Sequence, residues 1–158
     1  MIKLVLTDCD GCLTNGRVTI DSNGVCSKTF NMKDGVGFID LQKRGIKTGI
    51  ISCDSAKEIL NSKYKKLNLD YIIQGIDPNG KLDVVKKIIR DNDIKWSEVV
   101  YLGVDLPDLE ILTLAGNSFC PIDAVEEVKA VCEVLQVCGG DGAFREMVNI
   151  ILKNDKGT

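Results

Sequence analysis

Two aspartates one residue apart, Asp8 and Asp10, follow directly on the apolar run IKLVLT. Like charges this close repel, and they stand at the end of what should be a buried strand. Paired carboxylates in such a place suit a divalent cation, whose charge relieves the repulsion. They also suit a division of labour, one acting as nucleophile and the other as general acid and base. The plainer reading, solvated loop acids or a helix cap, fits less well with Gly11 immediately after them. Four further residues could join them. Ser52 closes the apolar run IKTGIIS. Lys81 opens a helical pattern, where a positive charge is unfavourable against the helix dipole and so hints at an anion facing it. Asp105 and Asp108 lie in GVDLPD after a fourth apolar run. Ser52 and the two acids could equally be helix caps, and Lys81 an exposed lysine.

Composition narrows the chemistry. The chain contains no histidine, which removes Ser-His-Asp and Cys-His nucleophiles and any His-bound metal. Carboxylates, lysines or hydroxyls must then do the work, and a metal would be hard and oxygen-bound. The seven cysteines are odd in number and irregular in spacing. With no secretion signal ahead of them, they read as reduced, mostly buried thiols of a cytoplasmic protein. Cys9 and Cys12 form a C-x-x-C, but a zinc site would want a second such pair or histidines. The net charge of −3 comes from interspersed signs and gives no electrostatic footprint for nucleic acid or an anionic membrane. No apolar run approaches a membrane span.

The elements that must position these residues alternate. Apolar runs over 2–8, 46–52, 69–75 and 98–103 read as buried strands. Helical patterns cover roughly 34–44 (with Gly45 as cap), 55–67 and 80–92, the last with Leu82, Val85 and Ile89 on one face. RVTI and VCSKTF flank DSNG as a hairpin. LPDLEILTLAG and AVEEVKAVC read as helices, NSFCPID as a short edge strand and VLQV as a last strand. A glycine-rich loop, CGGDGAF, then leads into a terminal helix over about 143–152. With 158 residues there is enough chain for one domain. The expectation is a single α/β domain over 1–158, a Rossmann-like three-layer sandwich on a central parallel sheet. The polar punctuation falls at strand C-terminal ends, where sites form in open α/β sheets.

In that order, D-x-D-G, Ser after a strand, Lys at a helix start and acids after a strand, the sequence resembles the haloacid dehalogenase superfamily of phosphohydrolases. DCDGCLT looks like its first motif, IIS (50–52) its second, Lys81 in GKLDVV its third and GVDLPD its fourth. DCDGCLTNG, NMKDGVGF, LDYIIQG, KLDVVKKI, YLGVDLPDLEIL and GGDGAFREMVNIIL together resemble one subgroup. It holds the 3-deoxy-octulosonate 8-phosphate phosphatases, the sialic-acid-type 9-phosphate phosphatases and the phosphatase-like domains attached to CMP-sialic acid synthetases.

The resemblance implies that Asp8 attacks phosphorus to give an aspartyl-phosphate, while Asp10 protonates the leaving sugar oxygen and then activates water. Ser52 and Lys81 would hold the phosphoryl oxygens. Mg²⁺ would bind the Asp8 carboxylate, the Asp10 main-chain carbonyl and an acid of the fourth motif. The subgroup pattern there is G-D-D-x-x-D, and its first Asp is Val104 here. Asp105 would have to reorient or the site lose a ligand, which opens a second reading: a weakly active oligomerisation module of a CMP-sialic acid synthetase system. Asp108 matches the last acid. Asp54 stands where the nine-carbon group carries Glu and the 8-phosphate group Arg, and so leans toward a sialic-acid-type 9-phosphate. Lys66 falls near a family lysine. Only residues 15–31 separate the first strand from the first helix, room for a hairpin but not a cap domain. The subgroup is typically tetrameric, with the C-terminal segment (here about 138–153) reaching a neighbour's site. Arg145 could there meet a sugar carboxylate, or else form a surface ion pair. A response-regulator-like phosphoacceptor is a third reading, but it would need acids ahead of Asp8.

Overall fold

The computed structural model describes residues 1–55 and 57–154. Six parallel strands form the central sheet: β1 (Leu4–Thr7), β4 (Lys47–Ile51), β5 (Tyr71–Ile73), β6 (Val99–Leu102), β7 (Asn117–Cys120) and β8 (Glu133–Val134), in the order β5-β4-β1-β6-β7-β8. β2 (Thr19–Ile20) and β3 (Cys26–Ser27) pair separately as an antiparallel hairpin. The sheet is apolar on both faces because both are covered. Val5, Ile50, Val100 and Leu102 point into one core, and Leu4, Leu6, Ile51, Val99 and Tyr101 into the other.

Helices α1 (Met32–Gln42), α2 (Lys57–Tyr64) and α6 (Ala143–Asn154) supply the first core with Phe38, Leu41, Leu60, Tyr64, Phe144, Met147 and Val148. Phe38 stacks on Phe144 at 4.0 Å between ring centres, and a Cβ on Gly37 would come within 3.2 Å of that ring. Glycine there lets the two helices close. Helices α3 (Lys81–Asp91), α4 (Leu109–Leu114) and α5 (Glu126–Lys129) cover the other face. In α3, Val85, Ile88 and Ile89 are buried while Lys86, Lys87 and Arg90 face water, the stripe expected of an amphipathic helix.

The three-layer architecture expected from the sequence is the one observed, with a hairpin and, among the described residues, no cap domain. The differences are local. α1 starts earlier, because Asn31 accepts the Lys33 N–H and caps it. The segment 117–120 is not an edge strand: β8 pairs with it and takes the edge. The hairpin strands shrink to two residues each around Asp21–Gly24, whose Asp21 carboxylate accepts the Asn23 and Val25 N–H groups. Residue 56 of the helix expected over 55–67, and residues 155–158 of the domain expected over 1–158, lie outside the described residues.

Because β4 and β6 flank β1 on opposite sides, the chain leaves the sheet in opposite directions at the β1 carboxyl end. A crevice opens there. Asp8 follows β1, Ser52 follows β4 and Gly103 follows β6, so the topology alone assembles three of the motif positions.

Candidate active site

A cavity of about 220 Å³ sits in this crevice. Asp8, Asp10, Ser52, Asp54, Lys81, Val104, Asp105 and Asp108 all line it. Seven of these are residues singled out from the sequence; the eighth, Val104, is where the motif departs.

The centre is a chain of buried charges. Lys81, with a side chain only 2% exposed, places Nζ 2.9 Å from Asp8 Oδ1 and 2.7 Å from Asp108 Oδ1. The reading of Lys81 as an exposed lysine is therefore wrong: the first turn of α3 turns it inward between two carboxylates. Burial would push this ammonium down, but Asp8 and Asp108 more than offset that and hold it above its ordinary value. Asp108 is fixed from several sides. Tyr101 donates its hydroxyl at 2.8 Å, and the N–H groups of Val104 and Asp105 donate to Oδ2 at 2.9 and 3.4 Å. Asp108 is thus an anchor for Lys81 and the fourth-motif loop.

Asp8 extends β1 through its N–H to Leu102 O at 2.9 Å, and its Oδ1 also accepts the Cys9 N–H at 2.8 Å. Burial, and then the Asp108 charge, raise its carboxyl from 3.8 to about 7 against the pull of Lys81. The loop after it turns at Gly11, with φ +84°, where a Cβ would meet Val104 Cγ1 at 3.0 Å. Val104 packs its side chain on this glycine and so presents methyl groups where the motif calls for an oxygen. Asp105 is exposed and accepts the Leu106 N–H at 2.7 Å with Oδ1, so its capping reading holds. Ser52 is buried, and its Oγ accepts the Asp54 N–H at 3.2 Å.

Asp10 has a partner that nothing in the sequence spacing announced. Lys28, from the end of the hairpin, places Nζ 2.8 Å from both carboxylate oxygens of Asp10 and also bonds Asp54. Thr14 Oγ1 donates to Asp10 Oδ1 at 3.2 Å. A lysine among the alternating residues of VCSKTF carries no signal of its own. Tyr101 did carry one, since a tyrosine in a fully buried strand needs a partner for its hydroxyl.

Two further candidate substrate residues do not line this chain's own cavity. Lys66 is exposed on a 3-10 turn (Lys65–Leu67) and does not line the cavity. Arg145 Nη1 lies 2.6 Å from Asp40 on α1, in a different cavity, and its N–H donates to the buried Asp34 at 3.0 Å. Within the chain, Arg145 takes the ion-pair reading. Cys9 and Cys12 are buried beneath the first-motif loop, where burial pushes both thiols up. Both side chains belong to the first hydrophobic core.

The donor set is suited to a hard divalent cation. It consists of oxygens, and burial first, then the Asp108 charge, raise the Asp8 carboxyl despite Lys81 beside it. Among the described residues, no three His, Cys, Asp or Glu side chains converge as a metal cage. With Val104 in the loop, a bound cation would rest on two carboxylates, main-chain carbonyl oxygen and water.

The chain matches no protein-family model. It is 34% identical over 153 residues to the 3-deoxy-D-manno-octulosonate 8-phosphate phosphatase of Haemophilus influenzae, covering 96% of this chain and 83% of that one. A crystal structure of the Moraxella catarrhalis 3-deoxy-D-manno-octulosonate 8-phosphate phosphatase, with magnesium, phosphate and the sugar acid bound, superposes with a TM-score of 0.90 at 34% identity. That match covers 96% of this chain and 86% of the other. The N-acylneuraminate cytidylyltransferase of Oncorhynchus mykiss is 33% identical over 156 residues, which cover 96% of this chain but only 35% of that protein. No helix among the described residues is long and apolar enough to cross a membrane.

Proposed function

The chain belongs to the haloacid dehalogenase superfamily of phosphoric monoester hydrolases, in the group of the 3-deoxy-octulosonate 8-phosphate phosphatases, and we propose that it is a Mg²⁺-dependent phosphatase of a keto-deoxy sugar acid phosphate. The observation that carries this reading is the buried chain Asp8–Lys81–Asp108 at the carboxyl end of β1, with Asp10 beside it.

Asp8 attacks phosphorus in line. Its Oδ–P bond forms as the bond from phosphorus to the sugar oxygen breaks, and Asp10 supplies the proton that the leaving alkoxide needs. Asp10 then takes a proton from water, whose oxygen attacks the phosphoryl group and releases Asp8. Lys81 spends two of its three N–H donors on Asp8 and Asp108, and turns the third toward the phosphoryl oxygens with Ser52. Asp8, the Asp10 carbonyl oxygen and Asp105 would hold Mg²⁺, which supplies the positive charge that lets one anion attack another.

The eight-carbon 8-phosphate leads as substrate because it is what the phosphatase relatives are named for. The nine-carbon preference expected from Asp54 is weaker than its charge suggests, since Lys28 already bonds that carboxylate. A cavity of about 220 Å³ is below the roughly 300 Å³ at which sites usually begin to enclose a drug-sized ligand. The sugar must extend past it, which favours a homotetramer in which a neighbouring chain completes the enclosure. The test is phosphate release from 3-deoxy-octulosonate 8-phosphate and from a nine-carbon keto-deoxy acid 9-phosphate, each with Mg²⁺. Faster release from the first is expected. Equal rates for Asp8→Asn and wild type would refute the mechanism.

Val104 favours a second reading, an oligomerisation module with little catalysis, associated with a CMP-sialic acid synthetase. A stable tetramer that neither binds Mg²⁺ nor releases phosphate would establish it.

A further inference from the structure

The cavity is lined by five carboxylates and one lysine. Lys28 enters from outside the sheet, on the hairpin strand β3's exit, and its side chain is only 5% exposed. It makes three contacts: both oxygens of Asp10, and Asp54. The hairpin itself is two residues per strand and largely exposed. A short exposed hairpin therefore buries one ammonium, against two acids from two different loops. Asp10 comes from the loop after β1, and Asp54 from the segment after β4.

We infer that Lys28 is a positioning residue for Asp10. Without Lys28, the remaining side-chain partner of Asp10 among the described residues is Thr14 Oγ1 at 3.2 Å on Oδ1. One such bond leaves the carboxylate free to turn about its side-chain torsion, whereas an ammonium equidistant from both oxygens fixes its plane. Asp54, sharing the same ammonium, ties that plane to the segment that follows Ser52. Proton transfer in both half-reactions depends on where the Asp10 oxygens stand, so orientation here bears on turnover and not on phosphate capture, which falls to Ser52 and Lys81. The inference rests on the phosphatase reading above.

Lys28→Met, Lys28→Gln and Lys28→Arg test it with two substrates, 3-deoxy-octulosonate 8-phosphate and p-nitrophenyl phosphate. With the sugar phosphate, Lys28→Met lowers kcat by about 100-fold, the scale of a lost or misplaced general acid and base, while KM stays within about threefold. Lys28→Arg, which keeps two donors on one cation, recovers about tenfold of that loss. The aryl phosphate separates the two steps. Nitrophenolate leaves with its electron pair and needs no proton, so Asp8 is still phosphorylated. Attack by water, which needs Asp10 as base, becomes slow. Lys28→Met then gives a burst of nearly one nitrophenolate per site followed by a slow steady rate. Lys28→Gln, similar in length and still a donor, shows the same burst if Lys28→Met does not fold. A purely structural role predicts fewer active molecules, no burst and no change in the KM-to-kcat balance, and would overturn the inference. If wild type hydrolyses neither compound, the phosphatase reading falls and this inference with it. If wild type turns over and the variants match it, the role of Lys28 alone is overturned.

Discussion

With Asp8 as a ligand of the proposed site, Mg²⁺ affinity should depend steeply on pH. In the metal-free protein, burial and Asp108 lift it from 3.8 to about 7. A cation that uses this carboxylate must displace the proton. At about pH 5 a group with a pKa of about 7 is about 99% protonated, so Mg²⁺ binds about 100-fold more weakly than at about pH 8. A carboxyl at its ordinary 3.8 would change the affinity over the same range by only about 1.1-fold. Stability moves in the linked direction. The folded pKa exceeds the unfolded one, so the folded state holds the extra proton between the two values. This group's contribution is present below about pH 4 and is lost as pH rises to about 7, on the order of 4 kcal/mol in all. Mg²⁺ should therefore raise the melting temperature more at pH 8 than at pH 5. Titration calorimetry at several pH values reads the affinity directly. It is the cleaner assay, because Asp34, also lifted by burial, to about 6, tilts the stability curve the same way without touching the cation. Asp8→Asn should abolish the pH slope. An affinity that is flat from pH 5 to 8 in the wild type would show that Asp8 is not the ligand, or that its charge is already compensated.

Val104→Asp places a carboxylate where Val104 now packs on Gly11. It should tighten Mg²⁺ by on the order of tenfold, and destabilise the metal-free protein by about 1–3 kcal/mol through added like charge and lost packing. Calorimetry and urea denaturation in chelator check the two opposite movements, and a tighter site with no loss of stability would contradict the packing role. Gly139→Ala puts a Cβ 1.8 Å from Gly11 O, so the backbone that carries Asp10 must move. We expect kcat to fall by about tenfold or more. Gly35→Ala, whose Cβ meets only Leu67 at 3.8 Å, should keep full activity and gain about 0.5–1 kcal/mol from helix propensity; equal kcat for the two variants would contradict the bracing of the first-motif loop.

What was legible in the sequence follows from what is encoded locally. Apolar runs located β1, β4, β5 and β6, since a strand buried on both faces must be apolar at successive positions, while the last strand, expected at VLQV, lies at Glu133–Val134. The same logic placed Asp8, Ser52 and the GVDLPD loop at strand ends, and the α/β order then brought them together. NSFC was misread as an edge because strand order depends on pairing with Glu133–Val134, and a two-residue strand has too few residues to show a period. Lys66 and Arg145 were placed by resemblance, and their own packing, on a 3-10 turn and against Asp40, answers to neighbours far along the chain.

The roles of Asp108 and Lys28 were hidden for a related reason. Each is defined by partners 18 to 27 residues away, Lys81 for the one, Asp10 and Asp54 for the other, and pairing at that distance leaves no periodic trace. Together they explain how five carboxylates can line one small cavity. Lys81 offsets Asp8 and Asp108 from inside the fold, and Lys28 offsets Asp10 and Asp54 from the hairpin. Asp105 stays exposed to water and needs no such partner. Each ammonium stands against two carboxylates, so negative charge remains in the cavity that a bound cation would offset. In the proposed site Val104 would leave Asp8 and Asp105 as the carboxylate ligands, and the buried one, Asp8, should set how Mg²⁺ affinity follows pH.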